Sequence, residues 1–378
     1  MTMGSSSEAT FLAHECERPY LPFDPSSSHW ADVVPTLQDD GPSPDVLVPI
    51  MYDPAYSSAM DLLRTMQPKR EFSDRALALT THLVSLNPSS YTVWAYRADV
   101  LLEGQEGGEE KRKKLRRELD WMEELARGNM KSYQVWQHRR MILSALGDPS
   151  TELSFIESVL NKDSKNYHTW AYRQWVLAQY GGLPSGSARD KPTHPELWEG
   201  EVGYTTKLID EDVRNNSAWN HRFFVIFGSG RAAAGPKAIG LQSPAGSDAP
   251  KDGLLQCAEA EVRYTRSQLS IAPSNAAAWA YLRGVLSHVN QPLTSYDLQP
   301  FVRNLGDEVA HALEYRLDIV EEQLLEGREA PEIGMMDQLV EKLVEVDPVR
   351  RRWWQARREE IQELTKAPAP APAPASGA

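Results

Sequence analysis

Residues 132–139 read SYQVWQHR and residues 166–173 read NYHTWAYR, and this recurring pattern decides the fold. Four further stretches share its Trp shortly before an Arg: SYTVWAYR at 90–97, NSAWNHR at 216–222, AAAWAYLR at 276–283 and RRWWQAR at 351–357. Successive Trp residues of the pattern are 42, 34, 49, 60 and 75 positions apart. Because the shortest spacing is the size of one helical hairpin, the sequence predicts tandem hairpin repeats. Loop insertions and an extra segment near residues 291–332 explain the longer gaps.

An amphipathic stretch precedes each copy that we inspected in this way. In residues 152–160 the apolar side chains recur at helical intervals: Leu153, Ile156, Val159 and Leu160. Three stretches end where a proline disfavours helical backbone in the residue before it: Asn87-Pro88, Ala272-Pro273 and Asp347-Pro348. Each repeat is therefore predicted to be helix, turn, helix. The alternating runs typical of β-sheets are missing, so the sequence predicts an all-α solenoid.

Composition restricts the classes of function. The chain has 378 residues and a formal net charge of −13, which disfavours nucleic acid and anionic membranes as partners. Its two cysteines, Cys16 and Cys257, provide neither a disulfide framework nor a paired thiolate metal site, as is typical of a reducing compartment. The sequence contains neither an apolar run of 18 residues nor a secretory pattern at its start. We therefore expect a cytoplasmic protein that does not insert into a membrane.

Composition also predicts the domain boundaries. Residues 1–25 are expected to be a disordered leader, and residues 367–378, which alternate Ala with Pro, a disordered tail. The helical-repeat domain is expected to span residues 26–366. Gly and Pro interrupt it near residues 181–195 and 228–253, where we predict loop insertions.

The Trp and Arg of each copy are expected to be structural. In a helix, residues three positions apart lie on one face, so the indole can fill the gap between stacked hairpins while the guanidinium reaches a neighbouring carboxylate or carbonyl. His138 and His221 lie between Trp and Arg in their copies without Cys, Asp or Glu at ligand spacing, so we expect no metal site in this chain. P-loop, dinucleotide-binding and nucleophile-elbow motifs are missing. Taken alone, these residues predict a helical scaffold that binds another protein.

Longer strings carry a resemblance to a known family. SYQVWQHRR, KNYHTWAYRQWVL and DVRNNSAWNHRFFVI resemble the repeats of the protein prenyltransferase α subunits. From Trp30, WADVVPTLQDDGPSPDVLVPIMY resembles the lead-in of the α subunit shared by protein farnesyltransferase and type I geranylgeranyltransferase. The resemblance covers roughly residues 20–360. The two insertions, the Ala-Pro tail and the weaker fifth and sixth copies depart from the family pattern.

This resemblance implies both a shape and a reaction. The family fold is a crescent-shaped, right-handed superhelical solenoid of hairpins, wrapped around a β subunit that holds the catalytic zinc and most of the isoprenoid pocket. The implied reaction transfers farnesyl or geranylgeranyl from its diphosphate to the cysteine of a C-terminal CaaX sequence in a protein substrate. Mg²⁺ bound with the diphosphate is a further option.

The resemblance also implies site residues. The family places an α-subunit lysine against the diphosphate leaving group, in the string that corresponds to KNYHTW, and this lysine is here Lys165. By composition alone Lys165 would be a solvated lysine at a helix start. Tyr167 and His168 follow it and are expected to line the diphosphate and peptide site. Tyr133 and Asn215, near the turn-to-helix junctions of neighbouring repeats, are also expected to bind substrate.

Two alternatives stay open at this point. The α subunit of the Rab-specific geranylgeranyltransferase uses similar repeats, although its lead-in is less similar to residues 30–52. A non-catalytic tetratricopeptide-like scaffold has a 34-residue unit that equals the Trp136-to-Trp170 spacing, but the Gly-Tyr signature of that family is missing from the copies.

Overall fold

The computed structural model of the protein describes residues 20, 22–38, 50–104, 107–183, 192–242, 252–330 and 332–366. Across these residues all regular secondary structure is helical, and the predicted all-α repeat fold is confirmed. The chain divides into two compact units, Met1–Val176 and Leu177–Ala378. None of the described helices has the length and apolar composition needed to cross a membrane.

The first unit consists of a lead-in followed by stacked hairpins. Its described α-helices are α1 (Pro54–Met66), α2 (Asp74–Leu86), α3 (Tyr91–Leu102), α4 (Gly108–Gly128), α5 (Tyr133–Leu146), α6 (Glu152–Leu160) and α7 (Tyr167–Val176), with a 3₁₀ turn at Ser28–Trp30. Helix α2 packs on α3, α4 on α5, and α6 on α7. The second helices of successive hairpins also pack, α3 on α5 and α5 on α7, so neighbouring hairpins stack.

The second unit repeats the same plan with longer connections. Its described α-helices are α8 (Glu201–Glu211), α9 (Asn216–Phe223), α10 (Gly253–Ile271), α11 (Ala276–His288), α12 (Leu298–Asn304), α13 (Ala310–Leu325), α14 (Met336–Val346) and α15 (Arg351–Lys366). Shorter elements are π-helical turns at Leu177–Gly181 and Phe224–Gly228, and 3₁₀ turns at Pro195–Trp198, Arg231–Ala234, Pro236–Ile239, Ile333–Met335 and Pro348–Arg350. Consecutive helices pair as α8 with α9, α10 with α11, α12 with α13, and α14 with α15.

Local sequence signals set the helix ends. Helices α2, α10 and α14 end at Leu86, Ile271 and Val346, each one residue before the position that precedes a proline, which confirms the predicted stops. The helices that carry the Trp start at side-chain caps. Asn215, for example, accepts hydrogen bonds from the backbone of Ser217 and Ala218 at 3.1 and 3.3 Å, which satisfies amides that have no partner within the helix.

The repeated Trp ties each turn to the helix that follows it. In five copies the indole Nε1 donates a hydrogen bond to the carbonyl six residues earlier: Trp94 to Pro88 (2.8 Å), Trp136 to Met130 (2.9 Å), Trp170 to Ser164 (2.9 Å), Trp219 to Val213 (2.8 Å) and Trp279 to Pro273 (2.7 Å). The indole body is buried in each case. A large apolar surface with one polar atom suits this place, because the ring fills space while its N–H satisfies the turn.

The same Trp rings join neighbouring hairpins. Each contacts the aromatic ring two positions after the Trp site of the next copy, with centroid separations of 4.7 Å for Trp94 and His138, 5.2 Å for Trp136 and Tyr172, and 5.0 Å for Trp219 and Tyr281. The predicted role of the Trp in filling the gap between hairpins is confirmed.

Buried ion pairs make the second connection between hairpins. An Arg three positions after the Trp forms a two-pronged pair with a Glu on the first helix of the next hairpin: Arg97 with Glu118 (2.7 and 2.6 Å), Arg139 with Glu152 (2.9 and 2.7 Å) and Arg222 with Glu261 (2.6 and 2.8 Å). All six side chains are almost completely buried. The residue two positions after the next Trp binds the same Glu, as Tyr172 binds Glu152 at 2.7 Å. The predicted structural role of these Arg residues is confirmed.

The extra segment predicted near residues 291–332 contains a further repeat. Helices α12 and α13 form a hairpin in which Leu313 stands 34 residues after Trp279, at the Trp position. Tyr315 and Arg316 follow at the usual offsets, and the Tyr315 ring lies 5.4 Å from that of Trp279. The 75-residue gap thus divides into 34 and 41 residues. Without a Trp this copy is not visible in the sequence pattern.

The packed region begins earlier than predicted. Tyr20 is buried at the end of the supposed leader, where its hydroxyl donates to Glu118 at 2.5 Å and its ring meets Trp121 edge-on at 5.9 Å. Phe23 stacks on His82 at 4.7 Å. The boundary at residue 25 is therefore too late, because two widely spaced aromatic residues suffice to anchor a polar segment. Residues 1–19 and the predicted tail at 367–378 lie outside the described residues.

Parts of the two insertions are packed. In the insertion predicted at 228–253, the 3₁₀ turn Arg231–Ala234 buries Ala232, whose carbonyl accepts a hydrogen bond from Cys257 Sγ at 3.6 Å. In the one predicted at 181–195, the backbone amides of Thr193 and His194 both donate to the Tyr180 carbonyl. Residues 184–191 and 243–251 lie outside the described residues.

Candidate functional site

Lys165 lies in the turn that joins α6 to α7. Its backbone amide donates to Asp163 Oδ1 at 3.3 Å, and its side chain is exposed. The next residue, Asn166, is buried and accepts hydrogen bonds from the amide and the hydroxyl of Thr169, both at 3.0 Å. Because the residues on both sides of Lys165 are held by hydrogen bonds, the turn presents a cation at a defined place beside the start of α7.

Three of the other predicted site residues gather next to this turn. Tyr133 is the first residue of α5, and Tyr167 and His168 are the first two of α7. The ring of His168 lies 4.3 Å from Tyr133, edge to face, and 5.5 Å from Tyr167. We call Tyr133, Tyr167 and His168 the aromatic cluster. The packing of adjacent hairpins brings it together across two repeats.

The cluster combines exposed phenols with a partly buried imidazole. The side chains of Tyr133 and Tyr167 are 64% and 71% exposed. Burial lowers the pKa of His168 below its ordinary value, which favours the neutral imidazole at neutral pH. Phenol hydroxyls, an imidazole and a lysine ammonium can all donate hydrogen bonds to anionic oxygens. The arrangement therefore suits a ligand that carries phosphate or carboxylate groups.

Asn215 belongs to the second unit and differs from the other predicted residues. It is 1% exposed, and its Oδ1 serves as the cap of α9. Counted from the Trp of each copy, Asn215 is equivalent to Asn166, whereas Tyr133 is equivalent to Tyr167. The two residues thus stand one position apart in the repeat. A substrate contact by Asn215 stays a prediction, whereas its role in starting the helix is directly visible.

A second exposed cation was missed in the sequence. Lys131 stands five residues before Trp136, as Lys165 stands five residues before Trp170, and both side chains are exposed. Counting back from the repeated Trp would have found it, because that ring sets the register of the turn in every copy.

The histidines of the repeat motif have structural partners. His138 lies 2.8 Å from Glu118, and His221 lies 2.9 Å from Glu201, measured from Nε2 to a carboxylate oxygen. The described portion of the chain contains no group of three or more His, Cys, Asp or Glu side chains placed to hold a metal ion. A metal used in the reaction would thus need ligands from outside the described residues.

Comparison with known proteins connects this site to a family. The family profile "Protein prenyltransferase alpha subunit repeat" matches residues 73–103, 115–146, 149–180, 198–228 and 258–289. These ranges correspond to the hairpins from α2–α3 to α10–α11, and the third contains Lys165 and two residues of the aromatic cluster.

Several relatives carry one name, "Protein farnesyltransferase/geranylgeranyltransferase type-1 subunit alpha". The Pisum sativum protein is 40% identical over 258 residues, which cover 68% of this chain and 65% of the relative. The Arabidopsis thaliana protein is 34% identical over 350 residues, 88% of this chain and 94% of the relative. "Geranylgeranyl transferase type-2 subunit alpha" of Bos taurus is 28% identical over 62% of this chain and 38% of its own length.

A solved structure agrees with these matches. "Candida albicans protein geranylgeranyltransferase-I complexed with GGPP" aligns with a TM-score of 0.67 and 26% identity, covering 89% of this chain and 99% of that one. Together with the relative from Arabidopsis thaliana, which matches along nearly its whole length, this likeness places the chain in a known group. The chain belongs to the protein prenyltransferase alpha subunit family, and to its members named for farnesyltransferase and type-1 geranylgeranyltransferase.

Proposed function

We propose that this chain is the α subunit of a heterodimeric CaaX prenyltransferase. The enzyme would transfer a farnesyl or geranylgeranyl group from its diphosphate to the cysteine thiol at the C-terminus of a protein. The observation that carries the proposal is the 34% identity to a type-1 α subunit over 94% of its length. The exposed lysine and the aromatic cluster beside it supply the chemistry that such a reaction needs on the diphosphate side.

Lys165 is the proposed catalytic residue of this chain. During transfer the C1–O bond of the isoprenoid diphosphate breaks while a bond forms from sulfur to C1, and the bonding electrons leave with the diphosphate. Negative charge on the diphosphate therefore grows towards the transition state. A cation held in place beforehand stabilises that transition state more than the bound substrate. The fixed turn around Lys165 supports this role.

The aromatic cluster is proposed to position the substrates. Tyr133 and Tyr167 offer hydroxyl donors, and His168 contacts both rings and limits their movement. Substrate contact is proposed for all three residues. For Asn215 we propose a positioning role, since its Oδ1 already holds the start of α9.

The remaining parts of the enzyme are proposed to come from a β subunit. We assign to it a zinc ion, which when bound lowers the pKa of the substrate thiol and supplies thiolate. The lack of a metal-ligand group among the described residues supports placing this ion in the β subunit. Mg²⁺ bound with the diphosphate remains an option. We further propose a cytoplasmic enzyme without a nucleic-acid partner, consistent with its acidic composition.

Single-turnover transfer tests the proposal. The chain is co-expressed with a farnesyltransferase β subunit, and the rate of farnesyl transfer to a CaaX peptide is compared between wild type and Lys165→Ala. We expect the variant to assemble normally and to react about 10- to 100-fold more slowly, the range for one lost electrostatic contact to a transition state.

Lys162→Ala is the matched control, because Lys162 is exposed in the same turn three residues earlier. It should retain the wild-type rate. Equal slowing in both variants would remove Lys165 from the diphosphate site. If no β subunit co-purifies and no transfer occurs, the chain is better described as a scaffold. The type-2 alternative has less support, because the bovine type-2 relative matches over only 38% of its length.

A further inference from the structure

Tyr91, Tyr133 and Tyr167 occupy the same place in three consecutive hairpins. Each is the first residue of the second helix and stands three positions before the repeated Trp. Their side chains are 70%, 64% and 71% exposed. We call these three residues the tyrosine strip. Tyr133 and Tyr167 belong to the proposed substrate site, whereas Tyr91 has no role so far.

The repeat itself does not require a tyrosine at this place. The equivalent residues in the second unit are Asn216, Ala276 and Ala310, and each begins a helix as the tyrosines do. Because the strip residues are largely exposed, their rings also contribute little to the core. The aromatic character of the strip is therefore not explained by folding, which leaves recognition as its reason.

Contacts between successive turns make the strip continuous. Gln134 Nε2, at the start of α5, donates to the Ser89 carbonyl in the turn before α3, at 3.0 Å. On the other side, Tyr133 meets His168 at the start of α7. The turn that precedes Tyr91 is thus joined through α5 to the aromatic cluster beside Lys165.

The spacing of the strip suits an extended polypeptide. Packed helices lie about 8–10 Å apart, and an extended chain advances about 3.3 Å per residue. One tyrosine therefore meets about every third residue of such a chain. The surroundings are polar, with Ser89 in one turn and the exposed Lys131 in the next. Tyrosines among small polar residues are typical of adaptable recognition, whereas permanent subunit interfaces are richer in aliphatic side chains.

We propose that Tyr91 extends the substrate site, and that the residues of a protein substrate upstream of its CaaX sequence lie along the tyrosine strip as far as Tyr91. This inference rests on the proposed function. A substrate residue at Tyr167 would be followed at Tyr91 by one about six positions further upstream, given two steps of about three residues. Tyr91 is thus a specificity residue that short peptides do not reach.

A series of peptides of increasing length tests this. The wild-type heterodimer with a farnesyltransferase β subunit is compared with Tyr91→Ala, using one CaaX sequence preceded by zero, three, six or nine residues. We expect Tyr91→Ala to raise KM by about three- to tenfold for the two longest peptides, the effect of one aromatic contact. KM for the tetrapeptide and kcat for every peptide should stay unchanged, since the lost contact is made equally in substrate and transition state.

Two control variants separate the ring from its position. Tyr91→Phe keeps the ring and should behave like wild type. Tyr52→Ala removes an exposed tyrosine outside the strip and should leave KM unchanged for all lengths. A length-independent change in Tyr91→Ala, an unchanged KM for the longest peptides, or loss of the heterodimer would each overturn the inference. Wild-type activity with the tetrapeptide isolates that result from the proposed function, which fails only if wild type transfers to no peptide.

Discussion

At the scale of single residues, the repeated Trp determines where each turn stands. Its Nε1 binds the carbonyl six residues earlier in five copies, and its ring reaches the next hairpin. One side chain therefore fixes a turn, a helix start and a contact between hairpins. Lys165 depends on this arrangement, since it is the residue directly after the Ser164 carbonyl that Trp170 binds.

Truncation of Trp170 tests this role. Trp170→Ala is expected to reduce the free energy of unfolding by about 3–5 kcal/mol, because it deletes a buried aromatic ring and leaves the Ser164 carbonyl without its indole donor. Denaturant unfolding of the heterodimer measures the loss. Trp353→Ala is a matched control, since Trp353 is 51% exposed and should cost less than about 1 kcal/mol. Similar losses in both variants would contradict the account.

At the scale of helices, a buried carboxylate connects each hairpin to the next. Glu118 on α4 receives two hydrogen bonds from Arg97 on α3, one from the Tyr20 hydroxyl, and lies 2.8 Å from His138 on α5. Four elements thus meet at one side chain. Removing a charge from such a buried network leaves its partner uncompensated.

This network predicts how stability depends on pH. Burial would raise the pKa of Glu118, but the charge of Arg97 and hydrogen bonds with His138 and Arg97 outweigh it and lower the pKa to about 2, from an ordinary value of 4.5. A carboxyl whose pKa is lower in the folded state stabilises the fold above its unfolded pKa. That contribution is lost as pH falls from about 4.5 to about 2.

Glu118→Gln isolates this contribution. Near neutral pH the variant should be about 3–5 kcal/mol less stable than wild type, because Arg97 loses its buried counter-charge. The difference should shrink as pH falls through the window from about 4.5 to about 2, where wild type protonates Glu118. Denaturant unfolding at a series of pH values measures both curves. Glu109→Gln, an exposed carboxylate on the same helix, should follow wild type throughout, and a constant difference for Glu118→Gln would rule out the linkage.

At the scale of the whole molecule, the proposed heterodimer predicts how the chain behaves alone. Large apolar side chains of the lead-in are exposed, among them Val34 (79%), Leu37 (74%), Ile50 (70%) and Met51 (93%). Permanent subunit interfaces are extensive and apolar. We expect the chain expressed alone to aggregate or to be degraded by protease faster than the same chain bound to a β subunit, because binding stabilises the folded state. Size-exclusion chromatography and limited proteolysis measure this, and a protease-resistant monomer would contradict it.

The sequence by itself determined the helical hairpins, their stops before proline, the structural use of Trp and Arg, and the neighbourhood of Lys165, Tyr167 and His168. These features depend on the helical period and on turn residues, which act within a few positions along the chain. The family resemblance then attached a role to Lys165, which its exposed position in a turn would not have suggested.

Only the tertiary structure decided which side chains meet. The Glu that pairs with each Arg lies 13 residues away for Arg139, 21 for Arg97 and 39 for Arg222, so no fixed spacing identifies it. Tyr20 reaches Glu118 across 98 positions, and Leu313 holds a place that a Trp holds elsewhere. Such contacts depend on how hairpins stack and on the length of the loops between them. The contact of Tyr133 with His168, and with it the continuity of the tyrosine strip, has the same origin.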